Sequence, residues 1–176
     1  SVYLNNGITS IPDGAFENCK ELKYVTGGEI TSIGSRAFKN CPSLGKLLLS
    51  DIVTNMGEQA FYGDEALEIV ASTPAVVDSA ISSGVKSLKL DLSKLNGSLD
   101  NKTIETPDTM SYLEIDGGEK TYKNLKIVSN AETTKINYIT IDSNSGIPLE
   151  LSSENVELGF STIKSSGLAM SLKADT

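Results

Sequence analysis

Apolar positions in the first third of the chain recur at a nearly fixed period. Ala15-Phe16 returns as Ala37-Phe38 and again as Ala60-Phe61, so the phenylalanines are 22 and then 23 residues apart. Each pair follows a phrase that places two apolar residues three apart, Ile8 and Ile11 in the first copy. A period in the twenties is the signature of a solenoid, in which each repeat buries its apolar side chains against its neighbours.

Within each repeat the polarity pattern predicts a strand, a turn and a short helix. Apolar side chains at Phe16, Cys19 and Leu22 have the i, i+3, i+6 spacing of a tight helical turn. The segments that follow alternate in polarity and predict short strands: Lys23–Thr26, Lys46–Leu49 and Glu68–Ala71.

The pattern changes near residue 73. Ala75–Ser83 predicts one short helix that exposes Asp78 and buries Val76, Val77, Ala80 and Ile81. We therefore divide the chain into repeats over residues 1–72, a junction over 73–84, and a β-rich segment over 85–176.

The β-rich segment consists of short alternating runs separated by turn residues such as Asp116-Gly117-Gly118. A β-helix-like solenoid and an antiparallel sandwich both fit runs of this length. Candidate strand pairs lie 24–26 residues apart, which favours the solenoid: Leu90 with Ile115, Ile115 with Ile141, and Ile127 with Leu151. The expected fold class is a mainly β solenoid.

Composition and charge exclude several kinds of function. The chain has 176 residues, a net charge of −8 and a mean hydropathy of −0.10, and Arg36 is its single arginine. Nucleic-acid binding needs clustered basic residues, so we expect no nucleic-acid partner. No apolar run approaches the ~20 residues that span a bilayer, so we expect no membrane insertion within these residues. The absence of histidine excludes Ser-His-Asp and Cys-His catalysis here.

The two cysteines, Cys19 and Cys41, occupy equivalent repeat positions. Stacked turns are ~4.8 Å apart, which is compatible with a disulfide. A ladder of free thiols that pack as small hydrophobic groups is the alternative that we favour.

The spaced string Ile-Thr-Ser-Ile-x-x-x-Ala-Phe-x-x-Cys-x-x-Leu-x-x-Val resembles the BspA-type leucine-rich repeat of bacterial surface proteins, over residues 1–72. The third copy departs from it, with Met56 for Ile and Asp64 for Cys. Asn124-Leu-Lys-Ile and Asn155-Val-Glu-Leu resemble, more loosely, the asparagine-flanked strands of pectin-lyase-like β-helices. The first resemblance implies an extracellular or surface-attached protein used for adhesion or recognition, without catalytic residues or cofactors.

Acidic residues in the second half offer the other chemistry to consider. Asp91, Glu114, Asp116 and Asp142 lie on predicted strands or at their ends, and paired carboxylates can cleave glycosides. Alternating acids on strands more commonly form a solvated face. Asp142–Gly146 has oxygen-rich side chains, but it lacks the glutamate at position 12 of a calcium loop and is interpreted as a turn.

We expect a partner to bind the outward residues of the repeat strands. If Leu22 and Val25 point inward, alternation predicts an outward face of Tyr24, Thr26, Lys46, Leu48 and Ile69, with Ala71 beside it. The preferred function is non-enzymatic recognition of a protein or glycan. The alternatives are part of a polysaccharide-active enzyme, either carbohydrate-binding or catalytic, and a structural spacer.

Overall fold

The structure, a computed structural model, describes residues 1–44, 53–144 and 146–172. In these ranges it contains, in chain order, β1 (Val2–Leu4), β2 (Ser10–Ile11), β3 (Val25–Gly27), β4 (Ser32–Ile33), β5 (Asn55–Met56), β6 (Ala66–Val70), α1 (Pro74–Ile81), β7 (Ser87–Asp91), β8 (Thr103–Glu105), β9 (Tyr112–Lys123), β10 (Lys126–Ser129), β11 (Thr133–Ser143), β12 (Leu149–Leu151), β13 (Asn155–Gly159), β14 (Thr162–Ser165) and β15 (Met170–Leu172).

Strands pair in parallel with the strand one period further along the chain. β1 pairs with β3, β7 with β9, and β9 with β11, each in parallel. A parallel partner one period away is what a coiled chain produces, and the coil makes about seven turns. The predicted β solenoid is confirmed, and the antiparallel sandwich considered for the second half is wrong.

One sheet runs through the predicted junction. β6, the last strand of the third repeat, pairs with β7 over five residues, from Ala66 opposite Ser87 to Val70 opposite Asp91. The same sheet continues through β9, β11 and β13, with β14 also on β11. The remaining strands form the sheets β1-β3, β2-β4-β5 and β8-β10-β12-β15. The two halves of the chain therefore share one stack.

The strand registers follow the predicted period only in part. Leu90 lies opposite Ile115, as predicted. Ile115 lies opposite Ile136 rather than Ile141, and Ile127 lies opposite Leu149 rather than Leu151. β11 is 11 residues long and points Ile136 and Ile141 into the core, so the period alone did not select one of them.

The Ala-Phe segments are consecutive hydrogen-bonded turns rather than a regular helix. The backbone N–H of Cys19 donates to Phe16 O at 3.1 Å, which is the tight i+3 bond expected. Asn18 and Asn40, however, adopt left-handed φ values of 63° and 60°, which interrupt a helix. The backbone instead bonds to the next turn of the solenoid, from Phe38 N–H to Ala60 O at 2.8 Å.

Helix α1 takes the place of these turns in the fourth coil. Thr73 caps it by accepting a hydrogen bond from the N–H of Val76, and Pro74 occupies the first turn, where its missing N–H costs nothing. Its buried residues are the four predicted, and Asp78 is exposed. An amphipathic pattern of apolar side chains is therefore enough to place this helix against the stack.

Columns of equivalent side chains form the core. The rings of Phe16, Phe38 and Phe61 stack with centroids 5.2 Å apart. Beside these rings, the position of Gly57 has no room for a side chain. A Cβ on Gly57 would lie 2.4 Å from the backbone nitrogen of Ser35 in the preceding turn. This close approach is what requires glycine at that position.

Candidate functional site

The structure places the exposed part of the predicted face on β1 and β3. Tyr24 is 51% exposed and precedes β3, and Thr26 lies on β3 next to buried Val25. Thr26 is opposite Tyr3 of β1, whose side chain is 71% exposed. We call Tyr3, Tyr24 and Thr26 the tyrosine face. Sequence reasoning missed Tyr3, although Val2-Tyr3-Leu4 alternates in register with Val25-Thr26-Gly27.

Gly27 allows the ring of Tyr3 to lie against the next turn. A Cβ there would be 3.2 Å from a ring carbon of Tyr3 and 2.4 Å from Leu4 O, and φ of Gly27 is +84°. A side chain at position 27 would therefore meet one edge of the Tyr3 ring, and glycine leaves that space open.

The other predicted residues do not extend this face. Lys46 and Leu48 lie outside the described residues. Ile69 is 8% exposed and Ala71 is fully buried, so the prediction that they point outward is wrong. In β6, Leu67 and Ile69 point inward and Glu68 points outward. The prediction had aligned Val70 with the inward Val25. This placed the predicted alternation one residue out of register with the structure, and such a shift exchanges the two faces of a strand.

Acidic and basic residues alternate from strand to strand on the outer face of the largest sheet. The register aligns five of them in one column, which we call the charge ladder: Glu68, Lys89, Glu114, Lys135 and Glu157. Lys89 Nζ is 3.3 Å from Glu114 Oε2, and Lys135 Nζ is 2.8 Å from Glu157 Oε2. The ladder is a sequence of opposite charges that neutralise one another.

These contacts bear on the acids considered for catalysis. The hydroxyl of Tyr112 donates to Glu114 at 2.7 Å and, together with Lys89, lowers the pKa of that carboxyl. Asp91 and Asp116 each accept a backbone N–H, from Ser93 at 2.7 Å and Gly118 at 2.9 Å. Such carboxylates fix turns and registers, and Glu114 is held ionised rather than poised as a general acid.

Neither a metal cluster nor a membrane-spanning helix is found in the part of the chain that the structure describes. Over 1–44, 53–144 and 146–172, no three acidic or cysteine side chains are grouped closely enough to hold a metal ion. In the same ranges no helix has the length and apolar character needed to cross a bilayer.

The position shared by Cys19, Cys41 and Asp64 contains a buried acid. The two thiols are not bonded to each other; Cys41 is buried and Cys19 is exposed. Cys41 Sγ lies 3.0 Å from Phe16 O, to which the thiol donates, and burial raises the pKa of that thiol to about 11. Asp64 is 1% exposed, and burial raises the pKa of its carboxyl to about 7.

A second exposed aromatic group lies at the far end of the described chain, where β13 turns into β14. The rings of Tyr138 and Phe160 stack in adjacent turns, 5.2 Å apart and within 3° of parallel. Tyr138 is 39% exposed and Phe160 is 85% exposed. Both residues have left-handed backbones, with φ of 52° and 49°. We call this pair the aromatic corner. Sequence reasoning missed it, although the two residues are 22 positions apart, which is the spacing of the first two Ala-Phe copies.

Comparison with known proteins identifies the repeat. The profile of the BspA type leucine rich repeat region matches residues 1–106 in six copies. No curated protein and no solved structure matches the chain. The match extends past residue 72, where the resemblance read from the sequence ended, through α1 and β8, and it covers more than half of the 176 residues. The chain therefore belongs to the BspA-type leucine-rich repeat family, a family of repeat domains in bacterial surface proteins.

Proposed function

We propose that this chain is a non-enzymatic recognition or adhesion module, displayed outside the cell as part of a bacterial surface protein. The observation that carries the proposal is the tyrosine face, where Tyr3 and Tyr24 expose most of their rings on a parallel sheet. Family membership supports the extracellular setting, because BspA-type repeats are typical of bacterial surface proteins.

Tyrosine suits recognition because it offers a large amphipathic contact area at low conformational cost. It is also enriched among the interface residues that contribute most to binding. The sheet beneath the tyrosine face is fixed by parallel backbone bonds and by the buried column that includes Val25. A partner would therefore meet a surface that is already ordered, which lowers the entropic cost of association.

The structure favours this proposal over the enzymatic alternative. Three of the four acids that might have hydrolysed a glycan have defined structural partners, as Glu114 does with Tyr112 and Lys89. A pure spacer would need no exposed tyrosines on an ordered face, and the double variant below separates these two functions.

The experiment measures binding to a panel of immobilised extracellular-matrix proteins and to a glycan array. For any matrix protein bound by the chain, the double variant Tyr3→Ala/Tyr24→Ala should weaken affinity at least tenfold without lowering the melting temperature by more than a few degrees. Tyr62→Ala is the matched control, because Tyr62 is 48% exposed but lies on a turn beside Lys39. Equal losses in both variants, or no ligand for the wild-type chain, would refute the proposal.

A further inference from the structure

The aromatic corner has a backbone that ordinarily selects small residues. The left-handed region is uncommon for bulky side chains, and holding one there costs on the order of 1 kcal/mol. In the preceding turn the equivalent segment has Gly118 and Glu119 in this conformation, with φ of 64° and 60°. Elsewhere in the described chain the non-glycine residues with this conformation are Asn, Gln, Glu and Arg, so the conformation belongs to the turns of the solenoid. What distinguishes the corner is an aromatic residue in two successive turns.

Core packing does not account for the two rings. The buried ladder of Phe16, Phe38 and Phe61 has the same 5.2 Å spacing, but Phe38 and Phe61 are fully buried. Tyr138 and Phe160 use the same stacking on the outside of the coil. The pair therefore adds an apolar surface that the solenoid does not need for its own stability.

The corner is held rigidly by one hydroxyl. Ser161 Oγ lies 3.2 Å from Ile136 O and 2.9 Å from Gly159 O, and it accepts the N–H of Ile139 at 3.4 Å. These contacts connect the two turns on either side of the rings. The backbone that carries the two rings is therefore held in place across both turns, which lowers the entropic cost of binding there.

The amide side chain of Asn137, the residue before Tyr138, lies at the same corner. Asn137 is half-buried, and its Oδ1 lies where a side chain at position 159 would otherwise be, since a Cβ on Gly159 would be 2.3 Å from it. Gly159 thus leaves room for the Asn137 amide against the backbone of the residue that precedes Phe160. An apolar ring beside an amide is the combination that recognises a sugar, whose C–H face packs on the ring while its hydroxyls exchange hydrogen bonds with the amide.

The charges near the corner favour a neutral ligand. The ammonium of Lys135, on the same strand, pairs with Glu157 at 2.8 Å. That of Lys120, on the neighbouring strand, donates to the carbonyls of Leu92 and Leu95 at 3.0 and 2.8 Å. Both of these cations already have partners. On β14, Lys164 is opposite the acid Asp142, and the chain has a net charge of −8. An anionic polysaccharide would find no matching charge in them.

We propose that the aromatic corner, formed by Tyr138 and Phe160 with the Asn137 amide beside them, binds a neutral glycan. The sugar packs its C–H face on the exposed ring of Phe160 and bonds through its hydroxyls to Asn137 and the phenol of Tyr138. This inference rests on the proposed recognition function and names a ligand class for it. It uses a surface separate from the tyrosine face, so the two can fail independently.

The test titrates the full chain with oligosaccharides of glucose, of mannose and of N-acetylglucosamine, and with an oligogalacturonate as the anionic comparison. Calorimetry and amide chemical shifts around Phe160 report binding. We expect at least one neutral oligosaccharide to bind, with a tenfold or greater loss in Phe160→Ala and a smaller loss in Asn137→Ala. Phe160→Tyr should retain affinity. Leu168→Ala is the matched control, because Leu168 is 60% exposed and outside the corner, and it should bind like the wild type.

Phe160→Gly separates a binding role from a structural one. Glycine relieves the left-handed strain, so this variant should lose binding while its melting temperature stays the same or rises. A large drop in melting temperature would instead show that the ring is structural and would overturn the proposal. So would the absence of binding to every neutral oligosaccharide, preference for the oligogalacturonate, or unchanged affinity in Phe160→Ala. Loss of matrix-protein binding in the tyrosine-face variant has no bearing on this result.

Discussion

The backbone N–H of Cys41 donates a 2.6 Å hydrogen bond to Oδ1 of Asp64, the residue that replaces cysteine in the third repeat. One turn earlier, the sulfur of Cys41 accepts from the backbone N–H of Cys19 and its thiol donates to Phe16 O. A thiol can accept one hydrogen bond and donate another, and a protonated carboxyl can do the same, whereas a carboxylate can only accept hydrogen bonds. The other oxygen of Asp64 is buried without a hydrogen-bond partner among the described residues. Asp64 is thus suited to replace the thiol in its neutral form.

Stability should therefore fall as pH rises from about 4 to about 7. Burial raises the pKa of Asp64 from 3.8 to about 7, so in this window only the unfolded chain releases the proton. Below 3.8 both states are protonated, and above 7 both are ionised, so this contribution is constant outside the window. Urea unfolding across this range should show a loss on the order of 4 kcal/mol or less, and Asp64→Asn should remove most of it.

Asp64→Cys is the matched control, because it restores the residue of the first two repeats. It should also flatten the pH dependence, since burial keeps the equivalent thiol of Cys41 protonated to about pH 11. The titratable groups near Asp64 are the neutral thiol of Cys41, Glu65 and, through its 3.0 Å bond to Glu65, Lys86. A dependence that persists unchanged in both variants would show that Asp64 is not its cause.

Reversing the central charge of the charge ladder should destabilise the sheet. Glu114→Lys would place three lysines in adjacent positions, with Lys89 and Lys135 on either side. Like charges directly opposite each other are unfavourable, so we expect a loss of about 1–2 kcal/mol in urea unfolding at low salt. Raising the salt to about 1 M should reduce the loss, because exposed charges are then screened. Glu105→Lys, on an exposed position of β8, is the control; a salt-independent loss would contradict the electrostatic explanation.

Removing the middle ring of the buried aromatic ladder should cost more than removing its first ring. Phe38 is fully buried and stacks on both Phe16 and Phe61, whereas Phe16 is half-buried and stacks on Phe38. Phe38→Ala should lower the free energy of unfolding by about 3–5 kcal/mol, because a cavity remains between two turns. Phe16→Ala should cost clearly less. Equal losses in chemical denaturation would show that the rings do not act as a stack.

A single methyl group at Gly57 should disrupt the stacking of the second and third repeats. The added Cβ would be 2.4 Å from Ser35 N and 2.7 Å from Ser35 Cα, so backbone would have to move. We expect Gly57→Ala to cost several kcal/mol by overpacking. Gly167→Ala, where no atom lies within 4 Å and φ is not left-handed, should change stability by less than about 0.5 kcal/mol. Thermal melts of the two variants that coincide would contradict the close approach.

The candidate surfaces show how far the outward residues could be predicted. Alternation around Val25 correctly left Tyr24 exposed, because that strand is short and one side of it is strictly apolar. The same rule failed at Ile69, because Ile69, Val70 and Ala71 are consecutive apolar residues and a shift of one residue was not visible among them. Tyr138 and Phe160 have the 22-residue spacing of the repeat, but their left-handed turn conformations break the alternation, so their outward orientation was not predicted.

The sequence by itself determined the solenoid, its period and much of its core. Residues repeated 22 or 23 positions apart can bury themselves only by stacking, so Ile11, Ile33, Phe38 and Phe61 were fixed as core by their spacing. The faces of α1 followed from its amphipathic pattern in the same way.

Only the tertiary structure decided which residues meet between turns. The charge ladder joins Glu114 to Lys89 and Lys135, which are 25 and 21 residues away, and the pairing depends on a register that unequal loops set. The hydrogen bond from Cys41 to Asp64 and the stacking of Tyr138 on Phe160 are likewise contacts between coils. The period predicts that the turns stack, but the length of the loop between successive strands decides which side chains lie opposite each other.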